Sequence, residues 1–140
     1  MLSVITCMAM AIYFEARNQP VAGQLAVAHV ISNRVASKHY PDTVCEVIQQ
    51  GPVYRSGHPI KHRCQFSFFC DGKPETIHDY KAWQTAMRVA AIAGATGIQD
   101  AGRVDVSEGA THYHTTEVSP KWGHTMRMTV QIGKHLFYKP

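Results

Sequence analysis

Met126-Arg-Met-Thr-Val-Gln-Ile-Gly-Lys-His-Leu-Phe-Tyr138 decides the fold class. Met126, Met128, Val130 and Ile132 alternate with Arg127, Thr129 and Gln131, the period-two pattern of a strand with one buried face. Gly133-Lys134 can reverse the chain, which makes His135 to Tyr138 the second arm of a hairpin. Upstream, Ala110-Thr-His-Tyr113 reads as a further strand. The periodic stretches before that are helical, apart from a long loop from Gly51 to Thr76. Helices first and a small antiparallel sheet towards the C-terminus make an α+β chain.

Working back from the sheet, Asp79 to Ala93 predicts a helix with Trp83, Met87, Ala90 and Ala91 on one face, closed by Gly94. At the other end, Ser3 suits an N-cap, and Val4 to Arg17 contain neither Gly nor Pro. That first helix is apolar nearly all round and is expected at the centre of the molecule. Pro20 suits the start of a second helix, Val21 to Ala36, with Val27, Val30, Ile31 and Val35 as its buried stripe. Thr43-Val-Cys-Glu46 has capping-box form and opens a short third helix to Gln50. Gly51 to Thr76 lacks periodicity and reads as a long ordered loop, with a short strand around Gln65 to Phe69.

The 140 residues suit a single domain, 1–140, and 45% apolar against 17% charged residues describes an ordinary globular chain. A net charge of +4 and a pI of about 9.0 favour anionic surfaces. The basic residues form no dense run, so no nucleic-acid partner is expected. No apolar run reaches the roughly 20 residues of a membrane span. Met1 to Phe14 has no basic residue ahead of its apolar stretch and reads as a helix rather than an export signal. Of the four cysteines, Cys7 is expected to pack as a small hydrophobe. The other three can supply one disulfide, Cys64 with either Cys70 or Cys45.

Glu15 is the sharpest oddity. A carboxyl at the end of an apolar helix is desolvated and lies against the negative helix terminus, and both effects favour its protonated form. Such an acid can protonate a leaving oxygen. On residue type alone the ordinary reading is the stronger one: an ion pair with Arg17, or a solvent-facing helix end.

Seven blocks change that balance. Tyr13-Phe-Glu-Ala-Arg17, Gly23-Gln-Leu-Ala-Val-Ala28, Asn33-Arg-Val35, Tyr40-Pro-Asp-Thr-Val-Cys45, Cys64-Gln-Phe-Ser-Phe68, Gly109-Ala-Thr-His-Tyr113 and Ile132-Gly-Lys-His-Leu-Phe-Tyr138 occur in order. Together they resemble the SleB-like cell-wall hydrolase family, over essentially the whole chain from Leu2 to Tyr138. The resemblance implies a lysozyme-like α+β domain and cleavage of peptidoglycan glycan strands as a lytic transglycosylase or muramidase. It also implies that Glu15 is the catalytic acid. Family members commonly carry a second glutamate where this chain has Gln19. An amide cannot serve as a carboxylate base, which favours a single-acid mechanism. A muramidase would need a second group, for which Asp71, Glu75 and Glu108 are the candidates.

Gln24, Gln65, Ser67, His112 and Tyr113 are the expected substrate-binding residues, since amides, hydroxyls and aromatic faces suit N-acetyl sugars. Trp122 and Trp83 are expected in the core. A zinc-dependent amidase or peptidase is the rival, drawn from nine histidines, the His58/His62 spacing, Cys64, Cys70, and the strand-sharing His112 and His114. Pro59 inside His58/His62 weakens it, and no HExxH occurs. A catalytically inactive wall-binding module is the third class. The expected protein is a monomer without metal or cofactor, acting at the bacterial wall after release by another protein. A phage endolysin or a piece of a longer bacterial enzyme fits this description.

Overall fold

Helix α1, Val4–Ala16, runs through the middle of the molecule in a computed structural model that describes residues 2–96 and 104–140. Ser3 caps it by accepting a hydrogen bond from the Thr6 amide. Cys7, Met8, Ala9, Ala11, Ile12, Tyr13 and Ala16 are buried on it, as its all-round apolar sequence requires. Around α1 pack α2 (Val21–Ala36), α3 (Val44–Ile48) and α4 (Tyr80–Thr96). Thr43 caps α3 by accepting from the Glu46 amide, and α3 stops two residues short of the expected Gln50. Helix α4 runs past Gly94, because one glycine costs a helix only about 1 kcal/mol and does not break it. Tyr13 ties α1 to α4. Its hydroxyl accepts from the His78 and Asp79 amides at 3.1 and 2.9 Å, at the entry to α4. No helix among the described residues is long and apolar enough to cross a membrane.

The sheet has the order β1-β3-β2, all antiparallel: β1 is His112–Thr115, β2 Arg127–Ile132 and β3 His135–Lys139. Gly133 turns β2 into β3 at φ +58, where a Cβ would stand 2.6 Å from Gln19 Oε1. The simple alternation expected for β2 breaks at a bulge between Met128 and Val130. The bulge turns Met128 outward, 51% exposed, and sends Thr129 inward, where its hydroxyl donates to Ser107 O at 2.8 Å.

Two further expectations are corrected. Residues 65–69 are not a strand; Ser67–Cys70 forms a 3-10 turn. The Cys64–Cys70 disulfide holds its Cα atoms 6.1 Å apart, whereas six extended residues would span roughly 20 Å. Cys7 is not a free packing residue: it is bonded to Cys45, fastening α1 to the start of α3. All four cysteines are paired.

Candidate active site

A cleft of about 450 Å³ opens between the helices and the sheet. Helix α1 supplies Glu15 and α2 supplies Arg34. The 60s loop adds Gln65, Phe66 and Ser67. The sheet contributes His112, Tyr113, His114, Thr115 and His135, and the β1–β2 connection Val118 and Trp122. Thus Glu15, Gln65, Ser67, His112 and Tyr113 share one cavity, although nearly a hundred residues separate the first from the last.

Gln24 is elsewhere. It is buried at 4% exposure, and its Nε2 donates to the carbonyls of Gln19 at 3.2 Å and Arg17 at 3.4 Å, closing the end of α1. Gln19 is also outside the cleft. Helix α1 ends at Ala16, so Gln19 does not continue the face of Glu15. Its Oε1 accepts from the Lys134 amide at 2.9 Å and holds the β2–β3 turn against the α1–α2 junction. Asp71, Glu75 and Glu108 do not line the cleft either. Glu15 is the one carboxylate that does so among the described residues.

Glu15 does not pair with Arg17. Arg17 turns to Tyr13 instead, donating to its hydroxyl at 2.7 Å with the guanidinium over the ring. Burial pushes the Glu15 carboxyl up to about 7, while the positive charge of Arg34 pulls the other way. The result is an acid that still holds its proton close to neutrality. Arg34 is 5% exposed. Its Nε donates to Thr111 O at 2.7 Å, and its guanidinium lies over the rings of Tyr40 and Phe66 at 5.0 and 5.8 Å.

The opposite wall is aromatic. Trp122 is half-buried and lines the cleft instead of plugging the core. Its ring packs on His112, His114 and Tyr138 at 5.1, 5.6 and 5.3 Å. His114 Nδ1 lies 2.7 Å from Thr115 O and donates to it, while its Nε2 lies 2.9 Å from the Tyr138 hydroxyl. Burial, and then the charge of Arg34, keep His112 below the usual imidazole range. Burial, and then His114, do the same for His135. Burial, reinforced by Glu15, holds Tyr113 well above the ordinary phenol range. His112, Tyr113 and His135 are thus held towards their neutral forms beside the Glu15 acid and the Arg34 cation. His135 Nδ1 is buried without a hydrogen-bond partner among the described residues.

The cysteines invoked for zinc are joined to each other, and among the described residues no three His, Cys, Asp or Glu side chains converge as a ligand set. Arg34, Phe66, His114, Thr115, Val118, Trp122 and His135 also line the cleft, and none of them was expected from the sequence to bind substrate. For Arg34 a signal was present. It follows Val27, Val30 and Ile31 at helical spacing, so a lone cation sits on the buried stripe of α2.

The cell wall hydrolase model matches residues 18–138, beginning three positions after Glu15. The spore cortex-lytic enzyme of Halalkalibacterium halodurans is 35% identical over 134 residues, covering 95% of this chain and 34% of that protein. That of Bacillus subtilis is 32% identical over 136 residues, covering 95% and 36%. The chain thus spans little more than a third of the length of these two relatives. Against the catalytic domain of the germination-specific lytic transglycosylase SleB from Bacillus anthracis the TM-score is 0.67 at 31% identity, over 97% of this chain and 93% of that one. The Bacillus cereus SleB catalytic domain gives 0.65 at 30%, over 97% and 89%. A helical body with a small three-stranded sheet is therefore shared with solved catalytic domains, Glu15 lies within the stretch they cover, and the chain belongs to the cell wall hydrolase family.

Proposed function

We propose that this chain cuts peptidoglycan glycan strands between N-acetylmuramic acid and N-acetylglucosamine as a lytic transglycosylase. The observation that carries the reading is Glu15: a buried carboxyl, pushed up to about 7, and the one carboxylate in the cleft among the described residues. Glu15 gives its proton to the oxygen joining muramoyl C1 to the next sugar. The C1–O bond breaks through an oxocarbenium-like transition state. The muramoyl 6-hydroxyl then attacks C1 and returns its proton to the Glu15 carboxylate. A 1,6-anhydro ring closes and the acid is restored, with no water consumed and no second carboxylate used. The similarity to a lytic transglycosylase catalytic domain supports the same chemistry.

The hydrolytic alternative needs a second group to hold water or form a covalent intermediate. No cleft carboxylate other than Glu15 supplies one among the described residues. We further propose that the chain acts as a monomer at the bacterial wall, after delivery by another protein. Mass spectrometry of fragments released from purified peptidoglycan tests the reaction. Anhydromuramic ends are expected. Reducing muramic ends would mean a muramidase, and free stem peptides with intact glycan would overturn the proposal.

A further inference from the structure

We propose that Arg34 is a substrate-binding residue whose free guanidinium edge takes a planar acyl oxygen, carboxylate or amide carbonyl, carried by the sugar beside the cleaved bond. The inference rests on the glycan-cleaving reading above. Arginine has five N–H donors. Arg34 uses the one on Nε, donated to Thr111 O at 2.7 Å. Its two Nη groups make no hydrogen bond or ion pair among the described residues. The side chain is 5% exposed and lines the same cleft as Glu15. With four N–H donors uncommitted to the protein, the guanidinium edge opens on the cleft, where a ligand acceptor can take them.

The geometry holds that edge in place. The guanidinium carbon lies over the Tyr40 and Phe66 rings, and the Thr111 carbonyl accepts from Nε. Pinning Thr111 alone would need one donor, not a planar cation. Among the described residues Glu15 is the one carboxylate in the cleft, and with its carboxyl raised to about 7 it is largely protonated on the acid side of neutrality. Among the groups on a muramoyl residue, the acyl oxygens are the strongest acceptors. They occur on the 2-acetamido group and on the 3-lactyl group, the latter a carboxylate when free and an amide when it bears a stem peptide. Charge-assisted bonds to such oxygens are roughly twice as strong as neutral ones, and a carboxylate can engage both Nη groups.

Binding to Glu15→Gln, which cannot turn the probes over, is compared with the double variant Glu15→Gln/Arg34→Met by calorimetry. Three probes are used: an N-acetylglucosamine tetramer, a muramoyl tetrasaccharide with free lactyl carboxylates, and the same tetrasaccharide bearing stem peptides. Arg34→Met is expected to weaken at least one complex about 10- to 100-fold. Equal weakening of all three identifies the acetamido carbonyl. Weakening confined to the muramoyl probes identifies the lactyl acyl group. Arg34→Lys, which keeps the charge but not the fork, should restore only part of the affinity. Unchanged affinity for every probe would overturn the proposal, whereas failure of Glu15→Gln to bind any probe would overturn the glycan reading itself. Should Arg34→Met fail to fold, the guanidinium nitrogen resonances of Arg34 in Glu15→Gln serve instead. They should shift on saturation with probe, and invariance would overturn the proposal.

Discussion

A carboxyl that stays protonated in the folded chain costs stability whenever the pH would otherwise ionise it. Glu15 is held at about 7, against about 4.3 for an unperturbed glutamate. Its folded value is the higher one, so its contribution is full below about pH 4 and declines as pH rises towards 7. Glu15→Gln should therefore leave stability unchanged at pH 4 and raise it by about 1–2 kcal/mol at pH 8, after discounting for the open side of the cleft. The same change should lower turnover by at least about 100-fold. Urea unfolding at the two pH values and muropeptide release measure both. A variant that loses activity without gaining stability at pH 8 would show that Glu15 is not strained in the fold. In the parent protein, kcat/KM should fall with rising pH through an apparent pKa near 7, and that limb should report the free acid. The residue type at position 15 was legible from its apolar run. What the sequence did not show is the counter-charge. Arg34 is 19 positions away on another helix, and no local rule pairs it with Glu15.

At the scale of elements, what was legible is what local rules govern. Ser3 and Thr43 cap their helices as their sequences require, α2 has the expected bounds, and the β2–β3 hairpin turns at Gly133. The misreadings lie where distant contacts override local pattern. Thr129 reads as an outward strand residue until Ser107 O claims its hydroxyl and the bulge forms. Cys7 reads as a hydrophobe because nothing in α1 reveals that Cys45 lies beside it. The two disulfides should consequently behave differently. Cys7–Cys45 spans 38 positions and Cys64–Cys70 only 6. Chain-entropy arithmetic gives about 4 kcal/mol for the first and about 2 kcal/mol for the second. Opening Cys7–Cys45 should mainly lower thermal stability. Opening Cys64–Cys70 should cost less stability but release the loop that carries Gln65 and Ser67 into the cleft, raising KM. Melting temperatures and Michaelis parameters of Cys45→Ser and Cys70→Ser make the comparison. Equal effects on KM would mean that the loop is shaped without its disulfide.

For the whole molecule, the cleft exists only while the sheet is docked on the helices, and α2 supplies the seam. Asn33 Nδ2 donates to Asp105 Oδ2 and Ala110 O, each at 2.9 Å, and next to it Arg34 holds Thr111 O. His29 Nδ1 accepts from the Val106 amide at 3.1 Å. These bonds join residues more than 70 positions apart, which is why the sequence could place Glu15, His112 and Tyr113 on their elements but not bring them together. Asp105 is the hub. Burial pushes its carboxyl upward, but hydrogen bonds from the Ser107 hydroxyl and amide and from Asn33 prevail and hold it well below the usual carboxylate range. Its folded value is the lower one, so its stabilising contribution is present above about pH 4 and is lost as pH falls below that. Asp105→Asn should accordingly flatten the acid limb of the stability profile while lowering stability at pH 7. Asn33→Ala removes the common donor and should cost about 2–4 kcal/mol by leaving partly buried acceptors unpaired. If the seam also aligns the two walls of the cleft, Asn33→Ala should reduce kcat/KM severalfold even well below its melting temperature, when nearly all of it is folded. Thermal unfolding paired with peptidoglycan turnover at low temperature decides the point. Full activity in a folded but destabilised Asn33→Ala would mean that the sheet finds its place without this seam, and that packing against α1 and α2 alone brings His112 and Tyr113 to Glu15.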